Sequence, residues 1–180
     1  MSGRAKSGRS LNYGSIQFHK PELDLAAVNP QQILKRVVDG HKLALQAKNL
    51  TLRTPQTDLT LTADAEKLRI ILDNLLSNAI KFSPQGGSID IDMSRAGDNF
   101  AIDVVDQGPG IAAADQPHIF KPFYQGRVQG SGPVKGTGLG LSIVKEYAAA
   151  HGGSVDVVPL DAGRGAHVRV QLPAKAANAP

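Results

Sequence analysis

Asp73-Asn74-Leu75-Leu76-Ser77-Asn78-Ala79-Ile80-Lys81-Phe82 carries a polar stripe along an otherwise apolar helical pattern. Asn74, Asn78 and Lys81 fall at i, i+4 and i+7 on one helical face, while Leu68, Ile71, Leu72, Leu75 and Ala79 fill the adjacent one. A helix of this kind buries one side and presents two amides and an ammonium in line beside it. The spacing predicts a helix opened by an Asp64 cap, running to about Phe82 and stopped by Ser83-Pro84-Gln85-Gly86-Gly87.

The layer it packs on is read from the next segment. Ile89, Ile91 and Met93 alternate with Asp90 and Asp92, Ala96-Gly97-Asp98 makes a turn, and Phe100, Ile102 and Val104 alternate up to Asp106. These are two half-buried strands expected to pair antiparallel. Residues 138–150 return to helical spacing through Leu141, Val144 and Ala148 and end at Gly152-Gly153, and residues 155–157 and 168–172 read as a closing hairpin. Upstream, residues 21–28 give a weak strand. Asn29-Pro30 opens a helix expected to reach about Lys48 through Gly40, and residues 50–53 and 59–62 read as a hairpin around Pro55 and Asp58. Residues 11–17 read as the frayed end of a helix lying upstream.

Because strands come in adjacent pairs, the expected fold class is α+β: a two-layer α/β sandwich, with about three helices on one face of a mixed, mostly antiparallel sheet. A doubly wound nucleotide fold is disfavoured. Residues 107–136 lose periodicity apart from a short helical piece near 112–120, a length that compact domains use as a lid or binding loop.

At 180 residues with 41% hydrophobic content, the chain is long enough for one well-filled domain. Of the formal charge of +4, three units come from Arg4, Lys6 and Arg9; without them 17 basic residues face 16 acidic ones. No basic face for nucleic acid follows, and no aromatic platform for stacking bases is present in the sequence. The absence of cysteine excludes disulfides and thiolate metal sites. No apolar run reaches the roughly 18 residues of a membrane span, and residues 1–10 read as a flexible linker or expression remnant.

Three segments could carry chemistry. Asp106-Gln107-Gly108-Pro109-Gly110 follows a buried strand, where a carboxylate can accept a hydrogen bond from an exocyclic amine and glycines let the backbone approach a flat ring; a plain turn would use the same residues. Gly136-Thr137-Gly138-Leu139-Gly140-Leu141 opens a helix, whose free N–H groups and positive dipole end suit a phosphate chain. It lacks the preceding strand of a dinucleotide motif and the Gly-Lys-Ser/Thr ending of a P-loop. Asn74 and Asn78 offer neutral oxygen ligands suited to Mg²⁺, and Lys81 could neutralise phosphate; a solvated helix face is the plain alternative.

Together with Ile119-Phe120-Lys121-Pro122-Phe123-Tyr124, these segments resemble in order and spacing the N, first glycine, F and second glycine boxes of sensor histidine kinases, over about residues 24–172. The resemblance implies the Bergerat ATP-binding fold, with ATP and Mg²⁺ as cofactors. By it, Asn78 is the Mg²⁺ ligand and Asn74 a second contact to metal or phosphate. Lys81 meets phosphate and Phe82 packs near sugar or base. Asp106 receives the adenine amine in a pocket shaped by Gly108, Gly110 and Ile111. Gly136, Thr137, Gly138, Leu139, Gly140 and Leu141 form the phosphate side. Phe120 and Phe123 anchor a lid whose Arg127 and Lys135 reach phosphate.

Hydrolysing members of the wider superfamily, such as DNA gyrase, place a general-base Glu where this chain has Asn74. An amide cannot take that proton, so transfer to a protein acceptor is favoured over hydrolysis. None of His19, His41, His118, His151 and His167 matches the family's acceptor sequence, and all five are expected to be surface or structural. The resemblance therefore implies a catalytic fragment of a protein histidine kinase. Residues 11–20 would end a dimerisation helix and its linker, residues 21–173 would form the catalytic domain, and residues 174–180 a disordered tail. The γ-phosphate would go to a histidine on a separate phosphoacceptor domain and on to a response regulator. The intact protein would be a homodimer anchored in the bacterial inner membrane, with this domain in the cytoplasm. Alternatives are a non-catalytic nucleotide-binding regulatory module and a serine kinase of the anti-sigma type.

Overall fold

The computed structural model describes residues 12–13, 16–17, 22–124, 140–161 and 165–174. In chain order these form β1 (Asn12–Tyr13), β2 (Ile16–Gln17), β3 (Leu25–Val28), α1 (Pro30–Gly40), α2 (Lys42–Ala47), β4 (Thr51–Arg53), β5 (Leu61–Asp64), α3 (Ala65–Phe82), β6 (Ser88–Ala96), β7 (Asn99–Asp106), α4 (Gly140–Ala150), β8 (Ser154–Val157) and β9 (His167–Pro173).

The main sheet has five strands in the order β4-β6-β7-β9-β8, antiparallel throughout except for β4 beside β6. Its register puts Met93, Ile102, Val170 and Val155 in one cross-strand row and Phe100 opposite Leu172. These residues are buried with the apolar face of α3, namely Leu68, Ile71, Leu72, Leu75, Leu76, Ala79 and Ile80. Helix and sheet thus exclude water from one shared core, the main source of stability in such a layer pair. The alternate residues of the strands form a polar face, on which Asp103 Oδ1 is bonded by His167 Nε2 (2.5 Å) and Arg169 Nε (2.7 Å).

Local signals set the helix starts as expected. Asn29 Oδ1 accepts from the N–H groups of Gln31 and Gln32, with Pro30 opening α1, and Asp64 Oδ1 accepts from Lys67 N to cap α3.

Four expectations are corrected. The helix expected to run to Lys48 divides at His41, which leaves helical geometry after the weak helix former Gly40 and hydrogen-bonds Asp73 of α3 (2.7 Å). Residues 50–53 and 59–62 do not form a hairpin: β4 runs parallel to β6, with Leu52 opposite Ile89, and β5 pairs antiparallel with β3. Neither segment ends in tight-turn chemistry, so pairing partners from elsewhere in the chain decide. Residues 112–120 form successive single turns, with Asp115 N to Ala112 O and His118 N to Asp115 O both at 2.8 Å, and no continuous helix. Finally, β1 and β2 pair antiparallel where a helix end was expected, on either side of the turn-forming sequence Gly14-Ser15. No helix among the described residues is long and apolar enough to cross a membrane.

Candidate functional site

Helix α3 places Asn74, Asn78 and Lys81 half-buried along one edge of the core. Asn74 Nδ2 donates to Ile70 O one turn back (2.9 Å), which fixes the amide and turns Oδ1 toward the start of α4. A Cβ on Gly140 would lie 2.9 Å from that oxygen, so a glycine lets the two helices meet there. The first residue of α4 is thereby brought against Asn74 of the stripe. Asn78 makes no side-chain hydrogen bond among the described residues, leaving its amide available. Lys81 Nζ lies 5.1 Å from the Phe82 ring centroid, a cation–π contact at the helix end. Asp73 points away from this stripe and is held by His41.

The second part of the site is Asp106, 6% exposed at the end of β7. Its Oδ1 accepts from Gly108 N (2.8 Å) and Ala166 N (3.3 Å). With one oxygen committed to two backbone donors, Oδ2 is left as the acceptor for a ligand donor. Burial pushes the Asp106 carboxyl above the ordinary carboxylate range, and the two N–H groups work against that rise. A Cβ on Gly108 would lie 2.5 Å from Phe82 O, so this loop rests directly on the backbone of the last turn of α3. The Asp106 loop and the asparagine helix are therefore joined through Phe82.

Sequence reasoning missed the clamp on Asp106 formed by Gly165 and Ala166. Gly165 has φ +90°, and a Cβ there would collide with Asp106 O. Ala166 O also accepts from Asp106 N (3.0 Å). The available signal was the glycine pair Gly163 and Gly165 between two strand patterns. Gly165→Ala is expected to cost several kcal/mol, roughly the upper range for a point substitution, because strain and collision add. A melting curve checks this, and an unchanged midpoint would contradict the clamp.

Ile111 and Gly110 line a cleft of about 340 Å³ between the loop after β7 and residues Val157 to Asp161, beside the Asp106 clamp. Phe120 packs against the core. Phe123 does not: it is 74% exposed, at the uncommon left-handed φ of 62°. The segment is held by Tyr124, whose hydroxyl donates to the buried Asp115 carboxylate (2.5 Å). Leu141 packs against the core from α4. Arg127, Lys135, Gly136, Thr137, Gly138 and Leu139 lie outside the described residues, as does His19.

The other histidines have structural partners. His41 meets Asp73, His167 meets Asp103, and the His118 ring lies 5.5 Å from that of Tyr124. His151 Nε2 receives Asp64 N–H (3.0 Å), so Nδ1 carries the proton it donates to Tyr147 O (2.7 Å). This ring ties the end of α4 to the cap of α3.

The chain is similar to known proteins over most of its length. The chain is 36% identical over 172 residues to "Hybrid signal transduction histidine kinase D" of Dictyostelium discoideum, which covers 91% of this chain and 11% of that protein. It is 36% identical over 152 residues to "Sensor-like histidine kinase SenX3" of Mycobacterium bovis, covering 84% of this chain and 37% of that one. The chain thus spans well under half the length of these relatives. Among solved structures, full-length ShkA in complex with AMPPNP superposes with a TM-score of 0.74 at 31% identity, covering 90% of this chain and 34% of that one. Residues 63–176 match the family described as "Histidine kinase-, DNA gyrase B-, and HSP90-like ATPase", a span that holds α3, Asp106, its clamp and α4. By this match and by relatives named as sensor histidine kinases, the chain belongs to that ATPase family.

Proposed function

We propose that this domain, residues 21–173, binds Mg·ATP and presents the γ-phosphate to a histidine on a separate helical phosphoacceptor domain of the same kinase. The observation that carries this reading is the α3 edge: Asn74 faces the start of α4 with Asn78 one turn further along the same stripe, Asn74 stands where a hydrolase needs Glu, and the adjacent Asp73 is bonded to His41. With no free carboxylate on that edge among the described residues to deprotonate water, binding without rapid hydrolysis is favoured.

The residues fit the ligand. Asn78 holds the metal through its amide oxygen, Asn74 gives a second polar contact, and Lys81 with the start of α4 neutralises phosphate. Asp106 takes the adenine amine on Oδ2 while Gly108 and Gly110 bring the backbone to the ring. Ile111 and Leu141 supply apolar walls, Phe82 packs near sugar or base, and Phe120 holds the lid segment, from which Arg127 and Lys135 reach phosphate. Gly136, Thr137, Gly138, Leu139 and Gly140 form the phosphate side. When bound, Mg²⁺ supplies charge neutralisation between phosphate oxygens; the chain contributes placement, which dominates catalysis of phosphoryl transfer. In the intact kinase we place this domain in the cytoplasm of a homodimer anchored in the bacterial inner membrane, upstream of a response regulator.

The test mixes the chain with γ-labelled ATP, Mg²⁺ and the isolated phosphoacceptor domain of its own kinase. Label on the acceptor that is lost in acid and retained in alkali is expected, with free phosphate released far more slowly. Acid-stable label would point to a serine kinase, and nucleotide binding without transfer to a regulatory module.

A further inference from the structure

Lys48 closes α2 as its C-cap, but its side chain serves a different helix. Nζ donates to three backbone carbonyls at the end of α3: Ile80 O (2.8 Å), Ser83 O (2.9 Å) and Lys81 O (3.0 Å). The last carbonyls of a helix lack internal donors and form its negative end, and an ammonium with three N–H bonds suits that cluster. The backbone of the same region ties the following turn, since Gly86 N donates to Lys48 O (2.8 Å) and Thr51 N to Gly87 O (3.0 Å). Burial lowers the Lys48 pKa, in keeping with an ammonium drawn partly out of water.

The end held in this way matters to the site. It carries Lys81 and Phe82, and Phe82 O is the atom against which Gly108 is packed. Lys48 is in neither the asparagine stripe nor the Asp106 pocket, yet it fixes the turn that joins them.

We infer that Lys48 is a positioning residue for nucleotide binding, locking the last turn of α3 so that Lys81 and Phe82 stand in register with Asp106 and Gly108. This rests on the reading of the site as a nucleotide site. Without the ammonium the three carbonyls lose their donor and the turn opens. Binding must then reclose it, and apparent affinity falls by the fraction of molecules in the closed form.

The experiment titrates Mg·AMPPNP calorimetrically into the chain and two variants, with melting curves recorded in parallel. Lys48→Met keeps the apolar stem and removes the donors; Lys48→Gln keeps two donors without charge. Expected dissociation constants rise in the order native, Lys48→Gln, Lys48→Met, the last by about tenfold, the scale of a lost charge-assisted hydrogen bond. Val155→Ala, in the buried cross-strand row, supplies a control of similar stability loss remote from the α3 end and is expected to bind as the native chain does. Equal affinity of native and Lys48→Gln would overturn the inference even if Lys48→Met failed to fold. So would a Val155→Ala loss as large as that of the Lys48 variants, which would reduce the role of Lys48 to general stability. Failure of the native chain to bind Mg·AMPPNP would instead reject the nucleotide site itself.

Discussion

Asn78→Ala is expected to remove Mg²⁺-dependent binding of AMPPNP, raising the dissociation constant by more than about a hundredfold, since loss of even an outer partner of a metal costs roughly 10–100-fold. The fold should survive. Asn78 is half-buried and gives up no side-chain hydrogen bond among the described residues, so its melting temperature should stay close to native. Titrations with Mg²⁺ and with EDTA separate the two contributions: the native chain should bind far more tightly with the metal, and the variant should show little difference between the arms. A variant that keeps the native dependence on Mg²⁺ would sink the assignment of Asn78 as ligand and move the metal elsewhere on the stripe.

Asp106→Asn is expected to move binding and stability in opposite directions. In the native chain Oδ1 is held by Gly108 N and Ala166 N. An asparagine keeps its carbonyl oxygen on those donors and so must aim its NH₂ where Oδ2 stood. Adenine offers an amine at that point and guanine a carbonyl oxygen. The variant therefore sets donor against donor for ATP and donor against acceptor for GTP. The preference for ATP over GTP should fall by about 10–100-fold or more, the range seen when a site built around one hydrogen bond meets the wrong partner. Competitive titration with the two nucleotides measures this, and equal losses for both would reject the role of Asp106 in base selection.

Stability should shift the other way. The native carboxyl has a raised pKa from burial. Between the ordinary carboxylate value and that raised value the folded state holds more protons than the unfolded one, so stability falls as pH rises through the window and the deficit is complete above it. Asparagine has no charge to desolvate. Asp106→Asn should melt above the native chain at neutral pH, with the gap closing as pH drops below the ordinary carboxylate range. ATP affinity of the native chain should weaken on acidification while Asp106 gains its proton, because Oδ2 then ceases to be a free acceptor.

How much of this is legible in the sequence follows from how local each determinant is. Helix α3, its Asp64 cap and the β6–β7 pair are set by periodicity and turn residues within a few positions, and the structure has them where the pattern puts them. The partners of β4 and β5 are not, because short segments without tight-turn chemistry leave pairing to strands elsewhere. His41, at the helix break, bonds Asp73, 32 residues away, and the clamp on Asp106 depends on Ala166, 60 residues away. Phe123 fits the F-box pattern, yet its ring is exposed and its φ is positive, neither of which the pattern encodes. Candidate site residues can thus be proposed singly from motifs, while the groups that contact or hold their surroundings, Gly165, Ala166, His41 and Lys48, come from tertiary contacts.

The place of β9 between β7 and β8 has a consequence for the chain as it leaves the ribosome. Synthesis proceeds from the N-terminus, and α3, β6 and β7 can associate while β9 is still unmade. At that stage β7 has an open edge, and Asp106 is without the Ala166 amide that helps orient its carboxylate. The nascent domain therefore holds its asparagine stripe well before the Asp106 loop is clamped. Under the role proposed for Asp106, the last strand is then what completes the nucleotide site, and a chain cut short before Ala166 would lack that carboxylate's clamp.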